Sequence, residues 1–114
     1  MDLLHLSHSE TADCIIKDPF TGEDTDLVIN FHGPGTKQYK EAAKMILAKK
    51  GDEMDSEALS IVTAGWNNFE NSGKPFEFTK ENARMAYLAS IPLRMQAADF
   101  IFVIRNFLPK RWLI

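Results

Sequence analysis

Residues 92–108 read PLRMQAADFIFVIRNFL, and this stretch is too apolar to be an ordinary surface helix, since eleven of the sixteen residues after Pro92 are apolar. At about 100° per residue, one broad helical face collects most of them. That main face holds Leu93, Ala97, Phe100, Ile101, Ile104, Phe107 and Leu108. A second ridge, with Met95 and Phe102, points the opposite way, and Val103 lies to one side. A helix on a core needs one apolar face, so the second ridge is either buried by the same small domain or offered to a partner.

The chain has 114 residues, which fits one domain with a single modest core. Its 45% hydrophobic and 25% charged residues are typical of a globular protein. No apolar run approaches the roughly 20 residues that cross a bilayer, and the first residues lack the basic region of a secretory signal. A single cysteine, Cys14, cannot form an internal disulfide. We therefore expect a protein of the reducing cytoplasm that has no membrane partner.

The net charge of −3 is arranged in four blocks of alternating sign. Residues 1–36 carry −6, residues 37–50 carry +4, residues 51–83 carry −5 and residues 84–114 carry +4. Opposite blocks attract one another, either within one subunit or head to tail between copies. The acidic balance argues against nucleic acid as a partner.

The order of elements predicts an α+β fold, mainly α, in which an N-terminal β-hairpin is followed by about four helices. Two short runs with β-branched residues, Asp13–Lys17 and Leu27–Phe31, are the predicted hairpin strands, because a turn with Pro and Gly separates them. We expect residues 1–12 to form a flexible arm, residues 13–108 a single domain and residues 109–114 a C-terminal tail.

Local signals at helix ends place the four helices. The first runs from the N-cap Thr36 to Lys50 and is closed by Gly51. The second begins at the N-cap Asp55 or Ser56 and continues through Trp66, because Leu59, Val62, Trp66 and Phe69 form one stripe. The third runs from the N-cap Thr79 to Ser90, and the fourth has Pro92 in its first turn and stops at Pro109. Apolar residues spaced three and four apart mark the inward faces, including Leu47 on the first helix. The predicted core is Tyr39, Ile46, Leu59, Val62, Trp66, Phe69, Tyr87, Phe100, Ile104 and Phe107.

No group of side chains in the sequence is typical of catalysis or of metal binding. Cys14 lies in a predicted strand between Asp13 and Ile15, surroundings that raise the pKa of a thiol and make it a poor nucleophile. His5 and His8 could share one helical face, but nothing nearby supplies a third metal ligand. The inward helical faces lack the paired ionisable residues that a small enzyme needs. We expect a protein that is not an enzyme and that binds no metal or cofactor.

Five short motifs follow one another along the chain: DPFTGE at 18–23, GPGT at 33–36 followed by Tyr39, AGWN at 64–67, PFEFTKENA at 75–83 and NFL at 106–108. In their order and spacing they resemble those of the tail assembly chaperones of long-tailed bacteriophages. The likeness covers roughly residues 13–108.

This resemblance implies a non-catalytic assembly factor of the host cell cytoplasm that is absent from the mature virion. In this family the short protein is accompanied by a longer form of itself, made by ribosomal frameshifting. The pair coats the hydrophobic tape measure protein and recruits tail tube protein to it. The family has no shared catalytic residues, so none is carried over to this chain.

A small subunit that coats a long helical rod would act as a homo-oligomer and present apolar surface. Met95, Phe102 and Val103 of the second ridge, with Trp112 in the tail, are the predicted protein-binding residues, since Met and Phe make adaptable contacts. Two other classes stay open: a structural virion component such as a head–tail connector or tail completion protein, and a small regulator whose apolar helix docks on one folded protein.

Overall fold

The computed structural model describes residues 10–108, and the fold of this part is α+β. Four α-helices and two antiparallel sheets make up the described residues. The strands are β1 (Thr11–Lys17), β2 (Asp24–His32), β3 (Thr63–Asn67), β4 (Glu70–Asn71) and β5 (Lys74–Pro75). The helices are α1 (Lys37–Leu47), α2 (Asp52–Val62), α3 (Lys80–Ala89) and α4 (Ile91–Ile101), followed by a short 3-10 helix (Ile104–Phe107). The predicted arm at 1–12 falls largely outside the described residues, and the tail at 109–114 falls wholly outside them.

The predicted N-terminal hairpin is confirmed, since β1 and β2 pair antiparallel with Cys14 opposite Ile29. The Asp18 carboxylate organises the turn by accepting hydrogen bonds from the backbone N–H groups of Phe20 and Thr21. Gly22 then takes a φ of 74°, which a residue without Cβ adopts at little cost. The alternation along each strand turns Cys14 and Ile29 into the core.

The second helix is shorter than its apolar spacing predicts, and residues 63–67 form a strand. The helix α2 begins at Asp52, after the N-cap Gly51, and ends at Val62. The hydroxyl of Thr63 donates to the carbonyl oxygen of Leu59 at 2.7 Å, at the end of the helix. The chain then continues as β3, which pairs with β2 and places Trp66 opposite Ile29. The prediction of a helix through Trp66 was wrong because the free edge of β2 outweighs the local spacing.

Side-chain caps begin α1, α3 and α4, whereas α2 begins at Asp52 after Gly51 without one, so the predicted N-cap at Asp55 or Ser56 was wrong. The Thr36 hydroxyl accepts from the N–H of Tyr39 at 3.1 Å, and the Thr79 hydroxyl accepts from the N–H of Asn82 at 3.0 Å. Both predicted N-caps are therefore confirmed. The predicted closure of the first helix by Gly51 was wrong, because α1 ends at Leu47 and Gly51 precedes α2 instead.

The last helix stops seven residues earlier than predicted, at Ile101 rather than Leu108. Two side chains donate hydrogen bonds to backbone carbonyl groups at the end of α4. The Tyr39 hydroxyl donates to Ile101 O at 2.6 Å, and the Asn106 amide donates to Phe100 O at 2.9 Å. The chain becomes extended at Val103 and turns into the short 3-10 helix.

The core lies between one face of the sheet and the inner faces of the helices. Of the predicted core residues, Tyr39, Leu59, Val62, Tyr87 and Phe107 are buried, and Ile46, Trp66, Phe69 and Phe100 are half-buried against them. Ile104 is 49% exposed, so its assignment to the core was wrong. The predicted main face requires one continuous helix to Leu108, whereas the helix ends at Ile101 and the extended Val103 turns Ile104 outward. Leu47, predicted on the inner face of the first helix, is exposed for a similar reason, since α1 ends there.

Candidate functional site: an apolar groove and the α4 ridge

An apolar groove with a volume of about 440 Å³ lies between the hairpin, the β4–β5 strands and the α3–α4 corner. We refer to it as the groove. Apolar side chains from five separate segments make up most of its lining. The chief ones are Ile16, Leu27, Phe69, Phe76, Met85 and Leu93.

One end of the groove is held in place by a side chain that bridges α4 and β1. The Gln96 amide oxygen accepts from the N–H of Lys17 at 2.8 Å, and its amide nitrogen donates to the carbonyl of Lys17 at 2.9 Å. This two-way pairing completes the hydrogen bonds of an edge strand at that point. It holds α4 on β1, and the buried side chains of Ile16 and Leu93 from these two elements form the floor of the groove.

The opposite wall is held by an aromatic cluster around Trp66. The indole N–H of Trp66 donates to the carbonyl of Phe76 at 2.7 Å, and the two rings stack with centroids 5.5 Å apart. Phe69 and Phe78 contact the same indole edge to face, with centroids at 4.8 and 5.0 Å. Trp66 therefore lies behind the groove wall, and Phe69 and Phe76 line it.

The polar groups at the groove are largely engaged within the protein. The amide of Gln96 is paired with Lys17, and the Ser90 hydroxyl accepts from the N–H of Leu93 as the N-cap of α4. The ammonium group of Lys17 lies 2.6 Å from the Asp24 carboxylate. The groove consequently offers apolar surface to a ligand, with few polar groups to orient one.

A second apolar surface lies on the outer side of α4. Met95 is 59% exposed, Phe102 is 39% exposed and Val103 is also exposed, so the domain leaves the predicted second ridge uncovered among the described residues. The ridge begins one turn earlier than predicted, at Ile91, which is 59% exposed. We define the α4 ridge as Ile91, Met95, Ala98 and Phe102. Trp112, the remaining predicted binding residue, lies outside the described residues.

The α3–α4 corner between the two surfaces is held by Arg94. Its guanidinium donates to the carbonyl of Tyr87 at 2.8 Å and lies 3.3 Å from the Asp52 carboxylate. This ion pair joins an acidic block of the sequence to a basic one within a single subunit.

The groups with the most strongly raised pKa lie in the core and do not line the groove. Burial raises the pKa of the Cys14 thiol from 9.0 to about 11, although the nearby Lys17 opposes the effect. Burial also raises the pKa of Tyr87, whose hydroxyl lies 2.7 Å from that of Thr63. Within residues 10–108, no cluster of three or more His, Cys, Asp or Glu side chains is arranged to hold a metal ion. The chemistry at the groove is that of apolar contact.

No protein family, curated protein or solved structure matches this chain. The likeness to tail assembly chaperones therefore depends on the motifs of the sequence. None of the helices between residues 10 and 108 combines the length and apolar character needed to cross a membrane. The groove and the α4 ridge are the features from which a function can be argued.

The sequence reasoning missed the groove, although most of its lining residues are apolar. Each segment contributes only one to five apolar side chains, and these look like ordinary core residues in the linear pattern. One signal was present in the sequence. Met85 lies two residues before the inward Tyr87, which places it on the outer side of the third predicted helix. A large apolar residue on an outer face indicates a contact surface.

Proposed function

We propose that this chain is a non-catalytic tail assembly chaperone of a long-tailed bacteriophage. In this role it binds the tape measure protein, helps to recruit tail tube protein with a longer frameshifted form of itself, and leaves before the virion is complete. It acts in the host cell cytoplasm. The observation that carries the proposal is the apolar groove. Such a groove can cover the apolar face of a helix, which is the role that the motif resemblance implies.

A helical rod is recognised most simply by laying its apolar face into a groove. The floor of the groove is rigid, since Ile16 and Leu93 are buried and Gln96 locks the two elements together. Its rim is adaptable, since Met85 is 51% exposed and has an unbranched, flexible side chain. A rigid floor with an adaptable rim suits many similar helical segments rather than one fixed sequence, as a protein that coats a long rod requires.

The test is co-expression with the tape measure protein of the same phage. We expect the wild-type chain to keep the tape measure protein in the soluble fraction and to co-purify with it. Met85→Glu places a charge at the apolar rim and should reduce the co-purified amount at least tenfold. Met54→Glu is the matched control, because Met54 is an exposed methionine of α2 that does not line the groove.

Thermal unfolding of both variants should match the wild type, since both methionines are exposed. Equal recovery of tape measure protein with Met85→Glu and with Met54→Glu would contradict the groove as the binding site. Insoluble tape measure protein in the presence of the wild-type chain would contradict the proposed function as a whole.

A further inference from the structure

The α4 ridge has the spacing of a helix that packs against another helix. Its residues Ile91, Met95, Ala98 and Phe102 are separated by four, three and four positions. At about 100° per residue they fall within about 60° of one another, as the a and d positions of a coiled coil do. Ile91, Met95 and Phe102 are exposed and Ala98 is half-buried, so the described part of the subunit leaves most of this seam uncovered.

The ridge is separate from both the core and the groove. The same helix buries Leu93, Ala97 and Ile101 against its own subunit. None of the four ridge residues lines the groove. A contact at the ridge is therefore independent of the proposed binding of tape measure protein in the groove.

We propose that the α4 ridge pairs with the α4 ridge of a second copy of this chain, with the two helices antiparallel. The ridge is self-complementary in this direction, because the four positions are symmetric about a point between Gln96 and Ala97. A two-fold axis through that point sets Ile91 against Phe102 and Met95 against Ala98. Antiparallel coiled coils pair a with d positions in this way, and each layer combines a larger side chain with a smaller one.

The parallel arrangement is less favourable on packing grounds. It would set Ala98 against Ala98 and Phe102 against Phe102, so one layer would be empty and another crowded. It would also bring Asp99 towards Arg94 of the second copy. That guanidinium is 11% exposed and already bound to Asp52 and to a backbone carbonyl of its own subunit, so it gains little from a further acid.

Charge complementarity favours the antiparallel pair. The exposed Asp99 flanks the ridge on its open side. In the antiparallel register Asp99 faces Pro92 of the second copy, in the first turn of that copy's α4. This is the positive end of the helix dipole, and no acid occupies the first turn of α4. The two helix dipoles are also antiparallel in this pair, which is the electrostatically favourable arrangement.

The first experiment is sedimentation equilibrium of the wild-type chain and two variants. We expect the wild type to form a dimer whose fraction rises with concentration and which persists at high salt, because the contact is apolar. Met95→Asp should raise the dimer dissociation constant at least tenfold. Met54→Asp, an exposed methionine outside the ridge, should leave it unchanged. A wild-type monomer at all concentrations, or a Met95→Asp dimer as tight as the wild type, would overturn the proposal.

The second experiment tests the direction of the pair by disulfide formation in a Cys14→Ala background. Ile91→Cys and Phe102→Cys chains, mixed and oxidised mildly, should form a mixed disulfide between the two variants. Each variant alone should form little, since α4 rises about 1.5 Å per residue and the two ends lie far apart. Disulfides within each variant alone, without the mixed product, would show a parallel pair and overturn the proposed geometry.

Discussion

The hydroxyl of Tyr39 donates a 2.6 Å hydrogen bond to the carbonyl oxygen of Ile101, and this contact links α1 to the end of α4 across 62 positions of sequence. The tyrosine ring also packs edge to face on Phe107, with centroids 5.9 Å apart. Together these contacts hold the point where the helix ends and the chain turns back into the core. The break turns Val103 and Ile104 outward, next to the ridge.

Tyr39→Phe should therefore destabilise the protein although it keeps the ring. The substitution leaves the carbonyl of Ile101 without its donor, and a buried polar group left unpaired costs about 1–3 kcal/mol. Urea denaturation should show a lower free energy of unfolding by that amount, with an unchanged dependence on denaturant. A change below about 0.5 kcal/mol would mean that the bond does not determine the end of the helix.

This contact shows which parts of the fold a sequence can reveal. The caps at Thr36 and Thr79 follow from a side chain and a backbone N–H three residues away, so local reasoning finds them. The end of α4 depends on Tyr39, and the strand β3 depends on the free edge of β2. Both partners are far away in sequence, and periodicity alone extends each helix past its true end.

The two candidate surfaces, the α4 ridge and the groove, also differ in how far the sequence predicts them. The exposed ridge residues Met95 and Phe102 belong to one helix, and their position opposite the main apolar face is visible in the sequence. The groove is assembled by tertiary contacts such as that of Gln96 with Lys17. No local pattern encodes such contacts, so the groove appears only when the chain is folded.

Trp66→Ala should destabilise the fold and loosen the groove wall. Large-to-small substitution of a buried Trp costs about 3–5 kcal/mol, and the half-burial of Trp66 places its value near the lower end. Urea denaturation measures this loss. Trp66→Phe keeps part of the aromatic cluster but loses the hydrogen bond to Phe76, so it should fall between the alanine variant and the wild type. An unchanged midpoint for Trp66→Ala would show that the indole does not support the wall.

Alkaline pH should weaken the fold through the buried thiol of Cys14. The pKa of Cys14 is raised from 9.0 to about 11 in the folded protein, so the unfolded chain loses this proton first as the pH rises. The contribution of the buried thiol to the free energy of unfolding is complete below about pH 9 and is lost progressively between pH 9 and 11. The raised pKa values of Tyr39 and Tyr87 act in the same direction.

Unfolding free energies measured from pH 8 to 11 should therefore decrease for the wild type and decrease less steeply for Cys14→Ala. Thiol reagents at pH 8 should label Cys14 only after the protein is unfolded, because the folded thiol is both buried and protonated. Rapid labelling of the native protein at pH 8 would contradict this assignment.

Purified particles distinguish a chaperone from a structural component of the virion. If the chain acts only during assembly, mass spectrometry should detect it in the lysate of infected cells and not in the finished particles. A head–tail connector or tail completion protein would instead be present at a fixed ratio to the known structural proteins. Detection at such a ratio would favour that alternative over the proposed function.

Hydrogen–deuterium exchange of the chain, free and bound to the tape measure protein, tests the role of the groove most directly. We expect slower exchange on binding in residues 69–76 and 85–96, which form two sides of the groove, and unchanged exchange in α1, which lies outside it. Binding that leaves both groove segments unprotected, or that protects α1 instead, would contradict the assignment of the groove as the surface that shields the tape measure helix.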